Sequence, residues 1–312
     1  MENDKLSKVI EAAKLYYLLD YNQSEIAKKL GVSRPTVSRL LQSAKEKGIV
    51  QIRIVDSMLD SEKMENELEQ KFNLKKAVVT SVPQYENHVI KNYLGEAAAD
   101  YLGEIVKDGD VIGVTWGTTL YHIGLELKQK YVRDVKVVQL KGGVSHSETS
   151  TYASEVLYLF GKAYNTPPIH LPLPAIVDHV VVKRAMEADR HIKKILDLGK
   201  AANIAVFTTG PIKPDSLLFQ LDYFSEEDLK MIYEHAAGDI CSRFYNKDGE
   251  VCNESLDERT LGIDLQELKR KEYSILVAGG EHKINGIYGA LRGGYANVLI
   301  TDQMTAQFLL DM

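Results

Sequence analysis

The sequence predicts a two-part α/β protein. A winged helix-turn-helix occupies residues 1–56, and residues 57–312 form a larger domain around a mostly parallel sheet. Three observations carry this. Short apolar runs alternate with longer amphipathic stretches from Ala77 to the end of the chain. Two short amphipathic segments near the N-terminus are joined by Gly-Val-Ser, each preceded by a capping residue. Positive charge collects around that pair: from Asn22 to Arg53 seven basic residues face two acidic ones, a local +5 in a chain of net charge −6, which leaves −11 for the rest. A basic module on an acidic body points to a nucleic-acid contact.

In the module, Lys8–Leu19 carries Val9, Ile10, Ala12, Ala13, Leu15, Tyr16, Leu18 and Leu19, a wide apolar stripe at helical spacing. The stretch N22-Q-S-E-I-A-K-K-L30 opens with Asn22 as cap and Glu25 three residues on, the spacing of a capping box. Gly31 is free to take positive φ in the turn that follows. Ser33 caps R34-P-T-V-S-R-L-L-Q-S-A-K-E-K47, with Pro35 in the first turn, where its missing N–H costs little. Ala27, Leu30, Val32, Val37, Leu40 and Leu41 supply a core. Gln23, Ser33, Arg34, Pro35, Thr36, Ser38 and Arg39 are left to face DNA around the start of the second helix, from which base edges in a major groove are reached. Arginine reads guanine bidentately, while serine and threonine hydroxyls suit phosphates and bases. Gly48 ends the helix, and I49-V-Q-I-R-I-V55 alternates as a strand, a wing that presents Arg53. The bland alternative is a surface hairpin with solvated lysines; the agreement of turn, caps and apolar spacing favours DNA.

Residues 57–75 read as a linker helix, with Leu59, Met64, Leu68 and Phe72 on its apolar side, packing on the body or in a dimer. Strands follow at Ala77–Ser81, Asp110–Thr115, Val135–Leu140, Ile169–Leu173, Ile204–Thr208, Asp239–Phe244, Tyr273–Ala278 and Asn297–Thr301. Helices lie between most of them, at Ile90–Val106, Thr118–Tyr131, Ser150–Tyr164, Val177–Leu198 and Glu226–His235. A final helix, Gln303–Leu310, is capped by Asp302.

Composition excludes several classes. Two cysteines are too few for a disulfide framework, and the scattered histidines offer no zinc spacing. The charged N-terminus resembles no export signal and no apolar run spans a bilayer, so a soluble cytoplasmic protein without metal or cofactor is expected.

Parallel sheets bind ligands beyond the carboxyl ends of their strands. Four such ends carry glycine: G113-V-T-W-G-T-T119, Q139-L-K-G-G143, T208-T-G210 and A278-G-G-E-H-K-I-N-G286. None is a G-x-G-x-x-G or a Walker P-loop, so a small phosphorylated ligand fits better than a nucleotide. Thr115, Gly117, Thr118 and Thr119 suit an anion cradle at a helix start, and Lys283 stands in the first turn of another helix. For each of these an ordinary capped helix or a solvated lysine is the competing reading. Asp239 reads equally as a turn cap or a ligand contact.

The stretches V32-S-R-P-T-V-S-R-L-L41, G113-V-T-W-G-T-T119, Q139-L-K-G-G143, A237-G-D-I-C-S-R-F-Y-N-K-D-G249 and the run from Ala278 to Asp302 resemble the SorC family of bacterial transcription regulators. The resemblance spans nearly the whole chain. It implies a Rossmann-like, sugar-phosphate-isomerase-like effector-binding domain. It also implies binding to operator DNA as an oligomer, commonly a tetramer, and release by a sugar phosphate, deoxyribose 5-phosphate. The Gly117–Thr119 loop and Lys283 would then hold phosphate. Many members carry asparagine inside Q-L-x-G-G where this chain has Lys141.

A lysine at the end of a buried strand is desolvated, which lowers its pKa and exposes a neutral amine able to form a Schiff base with a sugar aldehyde. A 2-deoxy sugar phosphate suits it, opening readily to the aldehyde, and Gly142 and Gly143 would admit the sugar close to the backbone. A hydrogen bond to the sugar, or a salt bridge to Asp222 or Asp239, are the alternatives. Two further functions compete: an aldolase or isomerase working through Lys141, and a constitutive DNA-organising protein. A helix-turn-helix argues against the enzyme, as does the lack of any carboxylate–lysine spacing to move protons.

Overall fold

The computed structural model describes residues 2–50, 58–143, 151–221 and 223–312. The chain folds into two compact units, Met1–Val55 and Asp56–Met312.

The first unit packs α1 (Glu2–Tyr17), α2 (Gln23–Leu30) and α3 (Arg34–Glu46) around one core. The capping expected from the sequence is present: Asn22 and Glu25 form a reciprocal box, Gly31 takes φ 64°, and Ser33 accepts from the Thr36 N–H. Val37, Leu40 and Leu41 are buried, with Ala27, Leu30 and Val32 packed against them, and Ile26 and Ala44 complete the centre. Leu18 and Leu19 depart from the expected stripe. α1 ends at Tyr17, Asp20 turns the chain at φ 54°, and both leucines are exposed. Of the expected wing strand, residues 51–55, Arg53 among them, lie outside the described residues.

In the second unit α4 (Met58–Phe72) lies along β1 (Lys76–Thr80). Leu68 is buried there, and Glu65 and Glu69 accept from the Val79 and Ala77 N–H groups. These bonds occupy donors that a sheet edge would otherwise leave open. The chain then runs α5 (Asn87–Ile105), β2 (Val111–Val114), α6 (Thr118–Glu126), β3 (Lys136–Gln139), α7 (Ala153–Ala163), α8 (Val180–Ala188), α9 (Arg190–Ala201) and β4 (Ile204–Phe207). It continues through α10 (Glu226–His235), β5 (Gly238–Ile240), β6 (Arg243–Tyr245), α11 (Glu254–Asp257), α12 (Leu265–Leu268), β7 (Tyr273–Val277), α13 (Ile284–Arg292), β8 (Val298–Asp302) and α14 (Gln303–Asp311).

Six strands form one sheet in the order β1-β8-β7-β4-β2-β3, every pairing parallel. Alternation along the strands divides the apolar side chains between two cores. Ile112, Val114, Val206 and Val277 face α5, α6 and α7, while Ala205, Phe207, Leu276 and Leu299 face α4, α13 and α14. Burying each larger side chain contributes about 1.5–3 kcal/mol.

Three expected elements are corrected. Ile169–Leu173 is no strand: Pro172 and Pro174 lack ladder N–H groups, and only Ile169 bridges, to Val138. Asp239–Phe244 folds on itself as the antiparallel β5–β6 pair outside the main sheet, because Cys241 and Ser242 take φ 56° and 65° in a two-residue turn. Val177–Leu198 breaks into α8 and α9 where the Asp189 carboxylate accepts from the His191 and Ile192 N–H groups.

Candidate functional site

From β3 on one side of β2 the chain crosses to β4 on the other, reversing the winding of the sheet. Such a switch point opens a crevice at the strand ends. Here it is a cavity of about 550 Å³, and all four glycine-bearing strand ends send residues into it. Thr115, Gly117, Thr118, Thr119, Lys141, Thr208, Thr209, Gly210, Asp239 and Lys283 line it.

The end of β3 is held rigidly. The Gln139 amide donates to the Lys141 C=O at 2.7 Å, and its oxygen accepts from the Leu171 N–H at 3.2 Å. Lys141 also bridges Gly262. Its side chain is buried, with Nζ 3.4 Å from the centre of the Trp116 ring. Trp116 in turn donates from Nε1 to the Gly142 C=O at 2.8 Å, tying the two strand ends together. Burial pushes the Lys141 amine below the ordinary lysine range, with Asp239 pulling the other way.

Gly142 departs from its expected role: it does not line the cavity. A Cβ there would lie 2.0 Å from the Pro174 C=O, so the missing side chain admits the neighbouring backbone rather than a sugar.

α6 begins at the cavity wall with no side-chain cap; Gly117 takes φ 129°, and Thr118 and Thr119 follow. Its first N–H groups are left without a side-chain partner, the arrangement that suits an anion. On the same cavity, Lys283 Nζ donates to Thr208 Oγ1 at 3.0 Å. Burial and the charge of Lys91 push Lys283 down to about 7. The Gly279–Gly280 loop is not itself a cradle, since the Gly280 N–H already donates to Asp302 at 3.0 Å and Thr305 at 2.9 Å.

Asp239 enters from β5. Burial raises its carboxyl above the ordinary range, against the pull of Lys141, of the Ser242 N–H and of Lys283. It caps the β5–β6 turn by accepting from Ser242 at 3.1 Å, as the first of its two readings has it, and it also lines the cavity. No salt bridge joins it to Lys141 among the described residues, and Asp222 lies outside them. Buried Arg243 pairs with Asp257 and Asp264 at 2.6 Å and donates to the Ile263 and Thr260 carbonyls, clamping the hairpin to the segment that bridges Lys141.

Sequence reading missed Asn87 and Lys91 from α5, Lys213 and Asp215 from the loop after β4, and His282. Burial and the neighbouring lysines push His282 down to about 4, so it is neutral near pH 7. Lys91 follows Ile90 at the helix start nearest the strand ends, a position the apolar periodicity already indicates. The loop lysine carries no such signal.

In the first unit Arg34, Pro35, Ser38 and Arg39 are exposed at the start of α3, as is Ser33, with Thr36 and Gln23 half-buried. Among the described residues no helix is long and apolar enough to cross a membrane, and no cluster could hold a metal ion.

A helix-turn-helix ahead of a parallel α/β domain with a polar, cation-rich cavity at its switch point defines a ligand-binding transcriptional regulator. Residues 56–311 match the family described as "Putative sugar-binding domain", and residues 8–66 match the Crp-like helix-turn-helix domain. The chain belongs to the SorC family of sugar-binding transcriptional regulators. It is 50% identical over 311 residues to the deoxyribonucleoside regulator of Bacillus subtilis, covering 100% of this chain and 99% of that one. It is 35% identical to the sorbitol operon regulator of Klebsiella pneumoniae over 314 residues, 99% of this chain and 100% of the relative. The crystal structure of full-length SorC from Klebsiella pneumoniae superposes with a TM-score of 0.77 at 33% identity, covering 97% of each chain. These relatives are named as regulators of transcription, not as enzymes.

Proposed function

We propose that the protein represses a deoxyribonucleoside or sugar catabolic operon and leaves its operator when deoxyribose 5-phosphate enters the cavity. The observation that carries this is Lys141: a buried lysine held below its ordinary pKa on the wall of a small cavity that Lys91, Lys213 and Lys283 also line. A neutral amine suits attack on the open-chain aldehyde, giving a Schiff base. The uncapped start of α6 and Lys283 suit the phosphate, whose charge would keep Lys283 protonated. The resemblance to a deoxyribonucleoside regulator supports the choice of sugar.

In this reading residues 1–56 bind DNA through Gln23, Ser33, Arg34, Pro35, Thr36, Ser38, Arg39 and Arg53. Residues 57–75 join them to the body, and the protein acts as a tetramer. The effector shifts the population toward an arrangement whose helix-turn-helix pairs no longer match the operator half-sites. The test is operator binding in gel shift with increasing deoxyribose 5-phosphate. Wild type should release the DNA, whereas Lys141→Ala should bind it as well and hold it at every effector concentration. A Lys141→Ala protein that released DNA normally would remove Lys141 from the sensing site.

A further inference from the structure

No carboxylate–lysine pair stands out in the sequence, yet the fold builds one. Asp239 lines the same cavity as Lys141 and Lys283, and its carboxyl is the acidic group whose charge acts on both amines.

Its position is constructed rather than incidental. The Asp239 and Gly210 backbones exchange two hydrogen bonds, N–H to C=O, at 3.2 and 2.9 Å. A Cβ on residue 210 would lie 2.0 Å from Asp239 Oδ1, so only glycine leaves room for the carboxyl where it stands. From the other side the Ser242 N–H holds Oδ2 at 3.1 Å, and that N–H is aimed by two successive non-glycine residues in left-handed backbone. Such a turn costs free energy and persists only where the surroundings impose it, a pattern found at functional sites. Oδ1 has no hydrogen-bond partner among the described residues.

We infer that Asp239 is the proton donor that converts the carbinolamine on Lys141 into the imine. This rests on the Schiff-base reading above and adds a residue to it. The Lys141 nitrogen lone pair forms the C–N bond to C1 of the sugar, and the carbonyl pair moves onto oxygen, which takes a proton from that nitrogen. In the resulting carbinolamine the Asp239 proton passes to the hydroxyl. The C–O bond breaks, water leaves, and the nitrogen lone pair closes the C=N bond. One amine, one aldehyde and one carboxylic acid thus give an iminium, a carboxylate and water. The product cation forms beside the anion created with it, which favours the adduct in a site that excludes water. Both reactants are in the required state, because burial favours the neutral amine and the neutral acid.

The test is the rate at which deoxyribose 5-phosphate becomes fixed to the full-length protein in the presence of cyanoborohydride, followed by mass, across pH. The groups that face Asp239 are Lys141, Lys283, Cys241 and Tyr245, with Lys91 and His282 beyond Lys283. Wild type should give a bell: the rate falls at low pH as Lys141 is protonated and at high pH as Asp239 loses its proton, both limbs belonging to the coupled pair. Asp239→Asn keeps an acceptor for the Ser242 N–H. It should slow trapping roughly 100-fold, the usual contribution of a general acid. Its high-pH limb should vanish while its low-pH limb stays, since Asp239 is already a neutral acid where Lys141 takes up its proton. Gly210→Ala should also slow trapping while keeping both limbs, since it displaces the carboxyl without removing it. Asp239→Asn trapping at the wild-type rate, or slowed with both limbs unchanged, overturns the inference and leaves the Schiff base standing. Absence of any adduct on wild type sinks the Schiff base, and this inference with it.

Discussion

The two units of this chain are specified by different means. In the helix-turn-helix, each turn is written where it occurs: Asn22 with Glu25, Gly31, and Ser33 ahead of Pro35. In the sugar-binding domain the decisive contacts join residues far apart in sequence: Gln139 with Leu171, Trp116 with Gly142, Gly210 with Asp239. A local code makes a part that tolerates change one residue at a time. A distributed code makes a cavity in which one methyl group has nowhere to go.

The strongest way to break this contrast is Gly142→Ala. Its Cβ would meet the backbone of Pro174, which no rotamer change relieves, so the body should lose roughly 3 kcal/mol. For a domain of this size that is a drop of roughly 10 °C in thermal unfolding. An unchanged melting temperature would show that the strand end is looser than described.

Arg39→Ala comes next. It should weaken operator binding by about 1–3 kcal/mol in fluorescence anisotropy, while effector affinity stays at the wild-type value. Equal loss of both would contradict the separation into a reading unit and a sensing unit. The smallest effect is expected of Ser33→Ala, which removes the cap on the Thr36 N–H and should cost about 1 kcal/mol of stability in denaturant unfolding. A loss as large as that of Gly142→Ala would mean that the first unit is no more local in its design than the second.

The same contrast explains what the sequence disclosed. Strand–helix alternation and four glycine-bearing strand ends were legible, because strand period and turn chemistry are local signals. The winding reversal at β2 and β4 was not, and it alone decides that those ends share one cavity. Lys141 stood out by departing from its family's pattern. Its surroundings did not: Trp116 and Asp239 reach it only through tertiary contacts, and the backbone of Pro174 that crowds Gly142 lies 32 residues on, just past the stretch read as a strand. The β5–β6 turn was hidden for a related reason, since Cys-Ser is not a pair that announces positive φ.

In the proposed sensing step the free amine of Lys141 attacks the sugar aldehyde. Borohydride reduction of the protein with saturating deoxyribose 5-phosphate, followed by peptide mass mapping, tests it most directly. One stable sugar phosphate adduct per chain is expected, on the peptide containing Lys141, and none on Lys283 or on the Lys141→Ala protein. Recovery of unmodified Lys141 under saturating effector would contradict it.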